Sequence, residues 1–238
     1  MRRTDEIVEV VKDWINERSL QPGDVLPSEK DLISYFGASR GSVREALRAL
    51  QYQGLVTTKR GSRGGTEIAR VSYDRTAEFL RGYLYFDELS WAQIYEARAL
   101  IEPRAVRNVG AKLTQADFAA LEETIKVTDE VTDGDLEAVR QAEIEFHAIL
   151  ARRADNPLLS FMARFINSVM SELTVSHNVV DPGGDAFHGD NVRAHRDILA
   201  ALRRDDGDAV EALMARHIEE AGCFVCLQEH ARGLSLKV

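Results

Sequence analysis

Four potential metal ligands lie on, or next to, the apolar faces of three predicted helices in the second half of the chain: Glu143, His147, His195 and His217. A buried carboxylate is unfavourable unless it is paired or bound to a cation, and imidazole is a common ligand of divalent transition metals. Each histidine alone would be interpreted as a hydrogen-bonded core residue. Because all four point at or near the interior of one bundle, the sequence predicts a shared site for a divalent transition metal, with zinc or nickel as the expected ion.

Arginines at helical spacing form a second group, in the first half of the chain. Arg40, Arg44 and Arg48 recur every four residues along one side of a helix predicted over 39–53. A separate apolar stripe packs inward, made of Val43, Ala46, Leu47 and Leu50. The planar guanidinium group suits guanine edges and phosphates. The sequence therefore predicts that Arg40 and Arg44, at the start of this helix, enter the major groove of double-stranded DNA.

The distribution of charge along the chain supports two domains with different partners. The 238 residues carry a net charge of −9, yet residues 1–70 alone are positive, with 12 Lys and Arg against 10 Asp and Glu. Within 39–65, Glu45 is the single acidic residue. A local basic face attracts phosphates over about 10 Å even on an acidic protein. An overall negative charge thus does not exclude a DNA-binding domain.

Helical periodicity in the first half indicates a helix-turn-helix. A helix over 4–18 is followed by a shorter one, for which Ser28 is the expected N-cap and Gly37 the expected end. The arginine-bearing helix comes next and is stopped by Gly54. Helix, tight turn and helix in this order are typical of a DNA-reading motif.

The pattern after Gly54 changes from helical to extended. Two short strands are predicted over 55–59 and 66–70, joined by the glycine-rich loop 60–65. A hairpin of this kind next to a helix-turn-helix forms a wing. The sequence therefore predicts a winged helix-turn-helix domain over 1–71.

No strand pattern is found after Ser72, so the second half is predicted to be an antiparallel all-helical bundle and the fold mainly α. We expect a linker helix within 72–88 and a helical domain over 89–238. The helical segments are predicted over 74–86, 91–110, 114–132, 135–153, 157–178, 189–204 and 206–230.

Composition points to a cytoplasmic protein. The chain is 45% hydrophobic, and it has no apolar run long enough to cross a membrane and no signal-peptide pattern. Cys223 and Cys226 are spaced like a redox or zinc motif. Because they lie inside a long helical pattern without a second cysteine pair, we expect them to be buried apolar residues.

The segment LPSEKDLISYFGASRGSVREALRALQYQGLV, residues 26–56, resembles the DNA-binding signature of GntR regulators. The resemblance extends over about residues 5–70. It implies contacts of Lys30, Ser39, Arg40, Ser42 and Arg44 with DNA phosphates or bases. It also implies that the wing, through Arg60 and Gly61, approaches the minor groove. Two departures are Lys30 and Gly41, where the family commonly has arginine and threonine or serine.

The second half resembles the FCD effector domain of FadR-type GntR regulators. The resemblance rests on four motifs within about 90–230: EARALIEPRAV at 96–106, EIEFH at 143–147, AHRDILAAL at 194–202 and RHI at 216–218. It implies that Glu143, His147, His195 and His217 hold the metal, with Glu143 where the family usually has aspartate. It also implies that Arg98 helps to hold a small organic acid effector. An ion pair of Arg98 with Glu102 is an equal alternative.

These observations together predict a homodimeric transcription regulator and not an enzyme. Its affinity for operator DNA would be controlled by a small carboxylate-type metabolite bound at the metal site. Two alternatives remain at this stage. One is a metal-dependent enzyme fused to a DNA-binding domain, because three histidines with an open position also suit catalysis. The other is a regulator whose metal is purely structural.

Overall fold

The computed structural model of the chain describes residues 2–59, 65–130, 136–176, 184–232 and 236–237. It divides into two compact units, Met1–Leu80 and Arg81–Val238. Arg60 and Gly61, predicted to lie in the wing, fall outside the described residues.

The first unit contains three helices and a hairpin. Its elements are α1 (Arg3–Glu17), α2 (Glu29–Phe36), α3 (Arg40–Tyr52), β1 (Val56–Lys59) and β2 (Gly65–Ile68), and α4 (Tyr73–Leu84) begins in it. β1 and β2 pair in antiparallel register, with Val56 opposite Ile68. The core is filled from all three helices and from the hairpin, chiefly by Ile7, Val11, Leu32, Val43, Leu50 and Val56.

Local capping explains where the helices of the first unit begin and end. The side chain of Ser28 accepts a hydrogen bond from the backbone N–H of Asp31 at the start of α2. Gly37 ends that helix in the left-handed conformation, with φ of 56°, which glycine adopts without steric cost. Ser39 caps α3 by accepting from the N–H of Ser42. The predicted winged helix-turn-helix is thus confirmed in its described part.

The second unit is built from helices. They are α5 (Trp91–Val106), a short 3-10 helix (Gly110–Lys112), α6 (Gln115–Glu130), α7 (Leu136–Arg153), α8 (Pro157–Ser176), α9 (Gly184–Arg203) and α10 (Gly207–Arg232). Fully buried side chains from α6, α7, α9 and α10 form its core, among them Leu121, Phe146, Leu150, Ile198, Leu202, Met214 and Ile218. The mainly α fold with a helical second half is confirmed. The part of the chain that the structure describes contains no helix with the length and apolarity needed to span a membrane.

The expectation of no strand after Ser72 is wrong at one place. β3 (Glu88–Leu89) pairs in antiparallel register with β4 (Leu236–Lys237). Two-residue strands are too short to show an alternating pattern, and the partners lie at opposite ends of the domain's sequence. Nothing local in the sequence therefore indicates this pairing.

Close packing at the start of α10 requires a glycine. A Cβ atom added at Gly207 would lie 2.6 Å from the backbone oxygen of Arg107, which is too close for any side chain. At Gly189, inside α9, an added Cβ would meet no atom within 4 Å. The two glycines therefore differ in what they contribute to stability.

We predict opposite effects of alanine at these two positions. Gly207→Ala forces a backbone shift and should lower the free energy of unfolding of the helical domain by about 1–3 kcal/mol. The matched control Gly189→Ala should raise it by about 0.5–1 kcal/mol, since alanine is the better helix former. Urea unfolding followed by circular dichroism measures both. Equal stability of Gly207→Ala and the unmodified protein would contradict the packing described for α10.

Candidate metal centre and nucleic-acid interface

Three histidines from three helices meet in the interior of the helical domain. His147 comes from α7, His195 from α9 and His217 from α10, and all are at most 5% exposed. Nε2 of His217 lies 3.2 Å from Nε2 of His147 and 3.2 Å from Nε2 of His195. Three ring nitrogens on separate helices therefore converge on one point.

The spacing and protonation of these rings fit a divalent metal. Tetrahedral coordination with metal–nitrogen distances of about 2.0–2.1 Å places ligand nitrogens about 3.3 Å apart. Burial lowers the pKa values of His195 and His217 well below the usual range, and the neighbouring histidines lower them further. The rings of His195 and His217 are therefore neutral at physiological pH, the form that offers a lone pair to a metal. His195 also stacks on Phe146, with ring centroids 3.9 Å apart, which fixes its plane.

A buried carboxylate holds the far side of one histidine. Oε2 of Glu102, on α5, lies 2.7 Å from Nδ1 of His147. Nε of Arg98 donates a hydrogen bond of 2.7 Å to Oε1 of the same glutamate. Burial raises the pKa of Glu102, but Arg98 and His147 outweigh it and hold the pKa at about 2. A carboxylate behind a metal-binding imidazole fixes the ring orientation and increases its basicity.

The contact between Glu102 and His147 was missed by sequence reasoning. The sequence indicated Glu102 only as a partner for Arg98, four residues away on the same helix. That ion pair is present, and Arg98 also lies over the ring of Tyr95, 4.9 Å from its centroid. The structure thus gives Arg98 an intra-bundle role. Its predicted contact with an effector stays a prediction.

Glu143 is not brought into the histidine group. Its Oε1 accepts a hydrogen bond of 2.8 Å from Nδ2 of Asn191, on α9. Nδ1 of His188 lies 3.9 Å from the same oxygen. Among the described residues, the ligand atoms that lie within 4.8 Å of one another belong to His147, His195 and His217. Glu143 lies one turn before His147 on α7. Its role as a fourth ligand stays a prediction.

A cavity opens beside the histidine group. It has a volume of about 540 Å³ and lies between α9 and α10. Its lining includes His217, Asn191, Arg193, Arg216 and Phe224. The lining also carries the carboxylates of Asp190, Asp197 and Glu220, and Arg193 is paired with Asp190, so the cavity contains charges of both signs.

The expectation that both cysteines are buried is wrong. Cys223 is exposed and Cys226 half-buried, and both line a groove between α5 and α10. The inward face of α10 is formed by His217, Ile218 and Ala221. Composition identified the cysteines as apolar residues, but which side of α10 faces α5 depends on the packing.

The predicted DNA-reading residues lie on the surface of the first unit. Lys30, Arg40 and Arg44 are exposed. Nε of Arg40 and Nε of Arg44 lie 3.8 and 3.5 Å from the carboxylate of Glu29, while 77% and 61% of the two side chains remain exposed. Ser39 and Ser42 share a hydrogen bond between their hydroxyl groups, 3.0 Å long, at the N-terminus of α3. This end of α3 thus presents two cations and two hydroxyls, groups that contact phosphates and bases.

Comparison with known protein families agrees with a helix-turn-helix in the first unit and a helical domain in the second. Residues 3–68 match the gntR family of bacterial regulatory proteins, and residues 93–220 match the FCD domain. The chain belongs to the GntR family. It is a transcription regulator with a GntR helix-turn-helix and an FCD domain, as the motifs of the sequence indicated.

Relatives of this GntR regulator match along nearly the whole chain. The HTH-type transcriptional repressor NanR of Edwardsiella tarda is 30% identical over 219 residues, 90% of this chain and 82% of the relative. NanR of Cronobacter sakazakii is 28% identical over 221 residues, again 90% and 82%. The solved structure of a Streptococcus agalactiae GntR protein aligns with a TM-score of 0.60 and 25% identity, covering 92% of this chain and 99% of that one. These relatives are regulators, which confirms the expectation that the protein is not an enzyme.

We predict that Glu102→Gln weakens metal binding by about 10- to 100-fold, because the amide is a poorer acceptor for the imidazole N–H. Glutamine keeps the size of the side chain and a hydrogen bond to Arg98. Glu96→Gln, at an exposed position on the same helix, is the matched control. Zn²⁺ affinity is measured by competition with a chelator. Unchanged affinity in Glu102→Gln would show that the contact with His147 does not act on the metal.

We also predict that Arg40→Ala and Arg44→Ala each weaken operator binding by about 1–3 kcal/mol where the contact is bidentate to a base. Neither side chain belongs to the core, so circular dichroism should not change. Arg152→Ala is the control, since Arg152 pairs with Glu145 on the surface of the helical domain. Fluorescence anisotropy with operator DNA measures the affinities. Full specific affinity in both α3 variants would refute the assignment of the recognition helix.

Proposed function

We propose that this GntR regulator binds operator DNA as a homodimer and that a carboxylate-bearing metabolite, held at a metal centre in the helical domain, controls its affinity for DNA. The observation that carries the proposal is the convergence of the three Nε2 atoms of His147, His195 and His217. The relatives named as repressors favour repression as the direction of control.

His147, His195 and His217 would hold the metal, with Glu143 as the proposed fourth ligand. A bound Zn²⁺ or Ni²⁺ supplies a positive charge and open positions for a carboxylate oxygen. The chain's own residues do the rest. Glu102 and Arg98 orient His147, and Phe146 fixes the plane of His195.

DNA would be bound by the N-terminal end of α3 together with the wing. We assign Lys30, Ser39, Arg40, Ser42 and Arg44 to this surface, and Arg60 and Gly61 to the tip of the wing. One recognition helix contacts few bases, so specificity requires two copies on a pseudo-palindromic operator. The homodimer is therefore part of the proposal.

Control requires that the effector binds one arrangement of the protein more tightly than another. The shift in DNA affinity is limited by that difference in effector affinity. We propose the residue ranges 1–71 for DNA binding, 72–88 for the linker that contains α4, and 89–238 for the effector domain. A purely structural metal is the second candidate, and it is favoured by the nearly complete burial of the three histidines.

We predict that His195→Ala and His217→Ala lose the metal, because each removes one of three converging ligands. Arg196→Ala is the matched control, because Arg196 lies on the exposed side of the same helix as His195, where it pairs with Asp129. Metal content is measured by mass spectrometry. Operator affinity is then measured with and without a panel of mono-, di- and tricarboxylic acids.

Metal content equal to the unmodified protein in both variants would remove the site. If the metal is lost but an acid from the panel still changes operator affinity as before, the metal is structural and the proposed sensing role is wrong. If both the metal and the response to the acid are lost while Arg196→Ala keeps them, the proposal is supported.

A further inference from the structure

A buried side-chain amide nitrogen on α8 has no hydrogen-bond partner within the described part of the chain. Asn167 is 3% exposed, and its Nδ2 atom makes no hydrogen bond there. The buried hydroxyls of Thr124 and Thr128, by contrast, donate to backbone carbonyls of α6. A buried N–H group without an acceptor destabilises the folded state. Asn167 is therefore a donor without a structural use in the described fold.

The pairing of α7 with α8 places this amide at the level of the histidine group. The two helices are consecutive and joined by a short turn, so they run antiparallel, and Ala151 and Ala163 are buried together where they meet. His147 lies one turn before Ala151, and Asn167 lies one turn after Ala163. Each step moves about 6 Å along the axis in the same direction. His147 and Asn167 thus reach the same height in the bundle.

The orientation of α8 turns Asn167 toward the interior. With about 100° per residue, Asn167 is rotated about 40° from Ala163, which packs against the neighbouring helices. Ser168 and Glu172 are rotated about 140–180° from Ala163, and they face Arg81 of α4, with contacts of 3.3 Å each. Asn167 therefore lies on the side of α8 that faces α5 and α7, the helices that carry Glu102 and His147.

We propose that Asn167 is an effector-binding residue, whose Nδ2 donates a hydrogen bond to a carboxylate oxygen of the effector. This inference rests on the proposed function of the metal centre. A metal that coordinates one carboxylate oxygen leaves the second oxygen as an acceptor in a dry interior, where it needs a donor. Arg98, the other candidate donor, is already paired with Glu102. The unpaired Nδ2 of Asn167 supplies the hydrogen-bond donor that the second carboxylate oxygen needs.

The experiment uses acetate, the smallest carboxylate, as the probe and the full-length protein loaded with Co²⁺. The visible spectrum of Co²⁺ reports both metal binding and a change of ligand at the metal. Asn167→Leu and Asn167→Ala differ in volume, so a loss common to both reports the amide and not the packing. Thr124→Val is the control, because it removes a buried polar group whose hydrogen bond is satisfied.

We expect both Asn167 variants to bind Co²⁺ like the unmodified protein and to bind acetate about tenfold more weakly, the effect of one lost hydrogen bond to a charged group. Thr124→Val should bind acetate normally. Since the unpaired amide is removed, Asn167→Leu should also melt at a temperature no lower than the unmodified protein.

Three results would overturn the inference. Acetate binding equal to the unmodified protein in both variants would show that Asn167 does not contact the carboxylate. Loss of Co²⁺ or of folding in both variants would assign Asn167 a structural role. A Co²⁺ spectrum of the unmodified protein that does not respond to acetate would mean that the metal has no open position, and the proposed function would then fail together with this inference. In the first two cases the proposed function stands.

Discussion

Burial of polar imidazole rings is the constraint on which the helical domain depends. His147, His195 and His217 lie among side chains such as Phe146, Leu199 and Ile218, where a charged ring or an unpaired nitrogen is unfavourable. The fold meets this constraint by keeping His195 and His217 neutral and by turning all three Nε2 atoms toward one another. One divalent ion would satisfy all three nitrogens at once. The three helices that carry them would then be linked through that ion.

The buried Arg98–Glu102 ion pair forms a second layer of polar groups next to the three histidines. Removing one partner of a buried ion pair leaves an uncompensated buried charge, which is unfavourable. Because Glu102 also contacts His147, the histidine group is connected to α5. α5 packs against α8 and α10, which gives the centre a physical connection to most of the domain.

The first unit presents cations to solvent without having a large basic surface. Arg40 and Arg44 extend from the start of α3 and share one acidic neighbour, Glu29, at distances that leave them largely exposed. Ser39 caps the N-terminus of this helix by accepting a hydrogen bond from the backbone N–H of Ser42. An acidic protein can thus carry a compact DNA-binding face, since the phosphates of DNA respond to the nearest charges.

The sequence by itself determined the elements whose signals are local. The caps at Ser28 and Ser39, the stops at Gly37 and Gly54, and the helical stripes follow from neighbours within a few residues, and dense motifs identified the family. Tertiary structure decided whatever joins distant residues. It placed Glu102 against His147 and Glu143 in a hydrogen bond with Asn191. It also left Cys223 exposed and paired Glu88–Leu89 with Leu236–Lys237. Helical periodicity states which side of a helix is apolar. It does not state which helix packs against that side, or at what height.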